Sequence, residues 1–179
     1  MSKRLCAALI LVMCGNSLLA DDWPQFRGPN RDGISAEKGL LKKWPQGGPK
    51  LLWSTDQLGT GYSGPAIVGD TIYIAGTKEN RECTFAINAK DGKVAWTGDL
   101  GPVFTWRGNS WNAGPNSSPT VGQQVIVQGG FGDLVCYQKT DGKVLWQKNL
   151  PKDLAGEVNP IGGGLDEPTP WVGAMLLPH

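Results

Sequence analysis

A chain of 179 residues, 40% of them hydrophobic, is long enough to bury a core of its own. Seventeen Lys and Arg stand against 16 Asp and Glu, a formal charge of +1, so there is no basic excess of the kind that binds nucleic acid. Glycine and proline are abundant, at 26 and 13, and with eight tryptophans they point to many short strands and turns rather than a disordered chain.

Residues 1–20 read as a secretory signal peptide. Lys3 and Arg4 make a positive start, residues 5–13 are an apolar run too short to cross a bilayer, and residues 16–20 form a cleavage region ending at Ala20. Cleavage there removes two of the 17 basic residues and leaves 15 against 16 acidic ones. The expected location is therefore exported, periplasmic or extracellular in a bacterium, with no membrane span after cleavage. Cys6 and Cys14 leave with the signal. Cys83 and Cys136 remain, at non-equivalent repeat positions, and are expected to be buried free thiols.

Residues 21–61 read as an N-terminal segment. It opens on turn formers with Trp23 and Phe26 as apolar anchors, continues through a short helix or irregular link over 35–43, and reaches an expected strand at 50–54 containing Trp53. Residues 65–74 then give strand, glycine turn and β-branched strand, followed by an apolar strand over 84–87 and the turn pair Asp91-Gly92. After that turn, alternation puts Val94 and Trp96 on one face and Lys93 and Ala95 on the other.

The same order returns. Residues 119–127 match 65–74 with one residue deleted, residues 134–137 match 84–87, and Asp141-Gly142-Lys143-Val144-Leu145-Trp146 matches Asp91-Gly92-Lys93-Val94-Ala95-Trp96 fifty positions earlier. Residues 170–177 match 119–126 at nearly the same period. Four strands per unit, repeated at 40–50 residues, describe blades of a β-propeller. The expected fold is all-β, a partial propeller over 62–179 with blades at 62–97 and 117–148 and an incomplete blade from 168. That makes about two blades plus pieces of two others, Trp53 supplying the closing strand of a blade otherwise absent. The chain reads as the N-terminal part of a longer propeller.

The blade motif resembles the tryptophan-docking repeat of the quinoprotein family, propellers built like the pyrroloquinoline-quinone (PQQ) dehydrogenases. Ala86, Gly92, Lys93 and Trp96 fit the family pattern, as do Gly142, Lys143 and Trp146, whereas Asn88, Asp91, Cys136, Gln138 and Asp141 depart from it. Residues 22–33 look like the opening of many secreted bacterial PQQ-like proteins. The resemblance implies that Trp53, Gly92, Trp96, Gly142 and Trp146 dock neighbouring blades. It also implies two functional classes. One is the quinone-dependent dehydrogenases, which use PQQ, calcium, a catalytic Asp and often a disulfide between adjacent cysteines. The other is non-catalytic, as in the propeller lipoprotein that helps to assemble outer-membrane barrels.

The adjacent cysteine pair is absent, and the single histidine is His179. Asp91 and Asp141 are explained by turns, and the glycine runs at 129–130 and 162–164 lack the Lys-Ser/Thr that follows in phosphate loops. No catalytic residue, metal ligand or cofactor is expected, PQQ and calcium entering only under the dehydrogenase alternative. The binding candidates are Trp106, Arg107, Asn109, Trp111 and Asn112, in the loop between blades; aromatic rings beside Arg suit recognition of a protein or glycan, and the same tryptophans equally suit covering a blade edge. The expected role is binding or scaffolding in the cell envelope, with an envelope protein or glycan as partner. A dehydrogenase fragment and a truncated product are the alternatives.

Overall fold

The computed structural model describes residues 20–105 and 113–155. Two four-stranded antiparallel sheets account for nearly all its regular structure, each a simple meander. The first contains β1 (Ala66–Val68), β2 (Thr71–Lys78), β3 (Arg81–Asn88) and β4 (Val94–Pro102); the second contains β5 (Thr120–Val121), β6 (Gln124–Gln128), β7 (Asp133–Gln138) and β8 (Val144–Asn149). The fold is the all-β, blade-like one that the repeat implies. One short helix, α1 (Leu150–Leu154), follows β8, its first turn capped by the Asn149 side chain, which accepts from the Lys152 N–H.

The period-two pattern of each strand decides what it buries. On one face of the first sheet Tyr73, Ala75, Ala86, Trp96 and Leu100 meet Val121, Val125, Val127, Val135 and Tyr137 of the second, forming one core between the sheets. On the other face Cys83, Phe85 and Ile87 pack with Ile72, Ile74, Val94, Leu58 and Trp53. Val94 and Trp96 thus lie on opposite faces, not together as simple alternation predicts. The reason is a bulge. Ala86 faces Trp96 but Ile87 faces Val94, so Ala95 is an extra residue and inverts the alternation. The second sheet repeats this at Cys136/Trp146 and Tyr137/Val144, leaving Leu145 as the extra residue.

The hairpin turn is longer than an Asp-Gly pair. Four residues, 89–92, are closed by the Gly92 N–H to the Asn88 carbonyl and the Asn88 N–H to the Lys93 carbonyl, with the Asp91 carboxylate accepting from the Lys93 N–H. The turn over 139–142 is bonded alike.

Two expectations for the N-terminal segment need correction. Residues 35–43 form the irregular link, the second of the two readings, but residues 50–54 form no strand, because no described strand lies alongside to take up their backbone bonds. Phe26 does not anchor the chain. It lies in the turn closed by the Gly28 N–H to the Gln25 carbonyl and stays 53% exposed. Trp23 does anchor it, exchanging both backbone hydrogen bonds with Ile67 of β1 at 2.8 Å, and the next carbonyl, of Pro24, accepts from the Val121 N–H of β5. Residues 22–24 therefore form a strap over the first strands of both sheets, with the Asp22 carboxylate accepting from the Gly69 N–H. Residues 1–19 and the expected incomplete blade from 168 lie outside the described residues.

Candidate functional site

The chemistry-bearing residues gather at the seam between the sheets. Trp96 leaves the first sheet on β4 and lies over the hairpin turn of the second. Its indole N–H donates to the Lys139 carbonyl at 3.1 Å, and its ring covers Gly142 so closely that a Cβ there would fall 2.5 Å from a ring carbon. Gly142 has φ of +72°, so the turn needs glycine for its backbone as well as for the ring above it. Trp53 repeats the arrangement one step earlier, donating to the Ala89 carbonyl at 2.8 Å and covering Gly92. Trp146 holds the corresponding position opposite Cys136 but is 39% exposed, and it has no indole hydrogen bond among the described residues.

Below Trp96 the rings of Tyr73, Trp96 and Tyr137 form a row, with centroids 6.0 and 5.7 Å apart. The Tyr137 hydroxyl crosses the seam to donate to the Asp99 carbonyl, and its ring lies over Gly98. Burial holds its phenol well above the ordinary tyrosine range.

A feature that the sequence reading passed over sits at the other end of the seam. Glu82 on β3 is fully buried. One carboxylate oxygen accepts from the Phe104 N–H at 3.1 Å and the other from the Gly130 N–H at 2.8 Å. Desolvation raises its pKa above the usual carboxylate value, against the lowering by those two amides, and the nearby Asp133 raises it further. The clue was available in an acidic residue at an inward position of an apolar strand, and in the consecutive glycines 129 and 130. These glycines form a turn, as expected, and they also let the backbone close on a carboxylate. Phe104 starts the inter-blade loop, whose two ends are tied by the Gly114 N–H to the Phe104 carbonyl, and its ring meets Phe131 edge-on at 5.4 Å.

The five loop candidates Trp106, Arg107, Asn109, Trp111 and Asn112 lie outside the described residues, as do the glycine run 162–164 and His179. Among the described residues no three His, Cys, Asp or Glu side chains converge as metal donors. Cys83 and Cys136 are buried free thiols on different blades, each with its pKa raised by burial.

Four-stranded meanders joined by a tryptophan of one stacked on the hairpin turn of the next are blades of a β-propeller. Residues 85–169 match the family model described as "Outer membrane protein assembly factor BamB". The matched segment, 85 residues of the chain, is similar to this PQQ-like propeller repeat, and the solved structures below share its fold. No curated protein sequence matches the chain. Among solved structures, the chain is similar to quinohemoprotein alcohol dehydrogenase from Comamonas testosteroni, at 17% identity and a TM-score of 0.54, over 74% of this chain and 20% of that one. BamB from Moraxella catarrhalis shares 13% identity at a TM-score of 0.40, over 55% and 26% of the two chains. A europium-containing methanol dehydrogenase shares 18% at 0.40, over 56% and 18%. The chain spans a quarter or less of the length of most of these proteins, and the dehydrogenase likeness speaks for the fold alone.

Proposed function

We propose that the chain is part of an exported bacterial envelope protein whose PQQ-like blades form a rigid binding scaffold rather than an oxidoreductase. The observation that carries this reading is the match of residues 85–169 to a family described by outer-membrane protein assembly. It runs from β3 of the first blade, across the inter-blade loop, to the end of the second blade and beyond. The seam supports the role physically. Interlocked tryptophans, a buried carboxylate and a strap hold two sheets in fixed relation, so a loop anchored at Phe104 and Gly114 is presented from a rigid base. Trp106, Arg107, Asn109, Trp111 and Asn112 are the residues proposed to meet an envelope protein or glycan. No helix among the described residues is long and apolar enough to cross a membrane, and the proposed attachment is through binding.

The test uses the full chain expressed in a bacterium. Fractionation is expected to place it in the envelope, and Trp106→Ala with Trp111→Ala is expected to weaken capture of its envelope partner at least tenfold while near-ultraviolet circular dichroism stays unchanged. Cytoplasmic retention, or unchanged capture by the folded double variant, counts against the proposal. Dye reduction after reconstitution with PQQ and calcium would replace it with the oxidoreductase reading.

A further inference from the structure

Glu82 is the one fully buried charged side chain among the described residues. Its surroundings are built for a carboxylate. A Cβ at residue 129 would fall 2.9 Å from one oxygen, and a Cβ at residue 130 would fall 3.1 Å from the other and 2.3 Å from the Phe104 Cβ. Only glycine therefore lets this turn approach. The two partners, the Phe104 and Gly130 amides, are both donors, and they come from opposite sides of the seam: one from the segment leaving β4, the other from the turn between β6 and β7.

We propose that Glu82 is a proton-operated tie across the blade seam: ionised, its carboxylate holds both amides strongly; protonated, it holds one of them only weakly. A carboxylate offers a full acceptor to each amide, whereas the protonated oxygen of a carboxylic acid is a poorer acceptor and carries an O–H donor besides. The bond from either the Phe104 or the Gly130 amide then weakens.

Burial is the largest cause favouring the proton on Glu82, and a like-charged neighbour adds to it. Asp133, on β7, adds a like charge, while Arg81, beside Glu82 on β3, is engaged by Asp99 of β4 at 2.6 and 2.7 Å on the surface. Lys78 of β2 faces Arg81 across the sheet and acts on Cys83, not on Glu82. Because the folded-state pKa lies above the unfolded one, the contribution of Glu82 to stability is fully present below the ordinary glutamate value. It falls away as pH rises through the raised value. Ionisation thus tightens the seam geometrically while spending stability, and protonation does the reverse.

The experiment is a pH titration of the ¹⁵N-labelled full chain by NMR from about pH 4 to pH 8. The Phe104 and Gly130 amide protons are expected to move together, with one midpoint above the ordinary glutamate range, and to be flat in Glu82→Gln. Asp133→Asn is expected to lower that midpoint by several tenths of a unit. Should Glu82→Gln fail to fold, the carboxyl ¹³C resonance of Glu82 in the wild type reports the same midpoint directly. Separate midpoints for the two amides, or a shared midpoint at or below the ordinary value, would overturn the proposal.

Discussion

At the residue scale, the seam depends on positions where one atom more or less is decisive. Gly142→Ala adds a Cβ where a ring carbon of Trp96 already stands at 2.5 Å and where φ is +72°. The expected cost is roughly 1–3 kcal/mol, read by denaturant unfolding. Gly122→Ala, at the corresponding end of the β5–β6 turn with nothing within 4 Å, is the control and should stay within about 0.5 kcal/mol of the parent. Tyr137→Phe removes the hydroxyl bond to the Asp99 carbonyl and should cost about 1–2 kcal/mol at neutral pH. The phenol's folded pKa is raised, so its contribution is intact below the ordinary tyrosine value and is lost as pH climbs through the raised one. The wild type should accordingly lose stability faster than Tyr137→Phe in alkali. Cys83 and Cys136 are buried, with thiolates disfavoured, and should resist a thiol reagent in the native chain and react on unfolding. Reaction of either in the native state would contradict the described packing.

At the element scale, the hairpin with its tryptophan is the unit of docking. Trp96→Ala empties the core between the sheets and should cost about 3–5 kcal/mol. Trp146→Ala, in the same register but 39% exposed, should cost about 1 kcal/mol. Equal costs would mean that Trp146 is docked like its counterpart. The strap is a second element with a clear signature. The Val121 amide proton, bonded to the Pro24 carbonyl, should be protected from exchange in the full chain and lose that protection when residues 21–24 are removed.

Much of this was readable from the chain, and the limits have physical causes. Repeat spacing gave four strands per unit because Asp91-Gly92 and Asp141-Gly142 punctuate matching apolar runs. The bulge at Ala95 and Leu145 was invisible, since strict alternation describes a strand alone and a bulge is a property of the pair. The strand read at 50–54 failed for a related reason: residues 51–53 have the composition of a strand, but pairing needs a neighbour. Trp53 was still recognised, because residues 48–53 echo the segment that ends on Trp96 in the first hairpin. Glu82 escaped notice because its meaning depends on two amides 22 and 48 residues away.

At the scale of the whole molecule, two sheets share one core and are tied at places that include Trp96 on the turn at Gly142, Tyr137 on the Asp99 carbonyl, Glu82 on Phe104 and Gly130, and the strap on Ile67 and Val121. The exposed ion pairs Arg81–Asp99, Lys90–Asp70 and Lys93–Asp91 are peripheral to this and contribute little, being solvated and screened by salt. Added salt should therefore leave the cooperativity of unfolding unchanged, while Trp96→Ala is expected to broaden it by letting one sheet open before the other.

The docking has a polarity. Trp53 and Trp96 each reach forward in the chain and rest on a turn made later, so the first sheet depends on the second for the cover of its own aromatic ring. Damage in such an array travels backwards. A lesion at Gly142 is registered by Trp96 in the preceding sheet, and one at Gly92 by the segment around Trp53. During synthesis the same polarity means that the first sheet is not finished when its own last residue is made; it waits for the turn at Gly142 to emerge, and the Trp96 ring stays exposed until then.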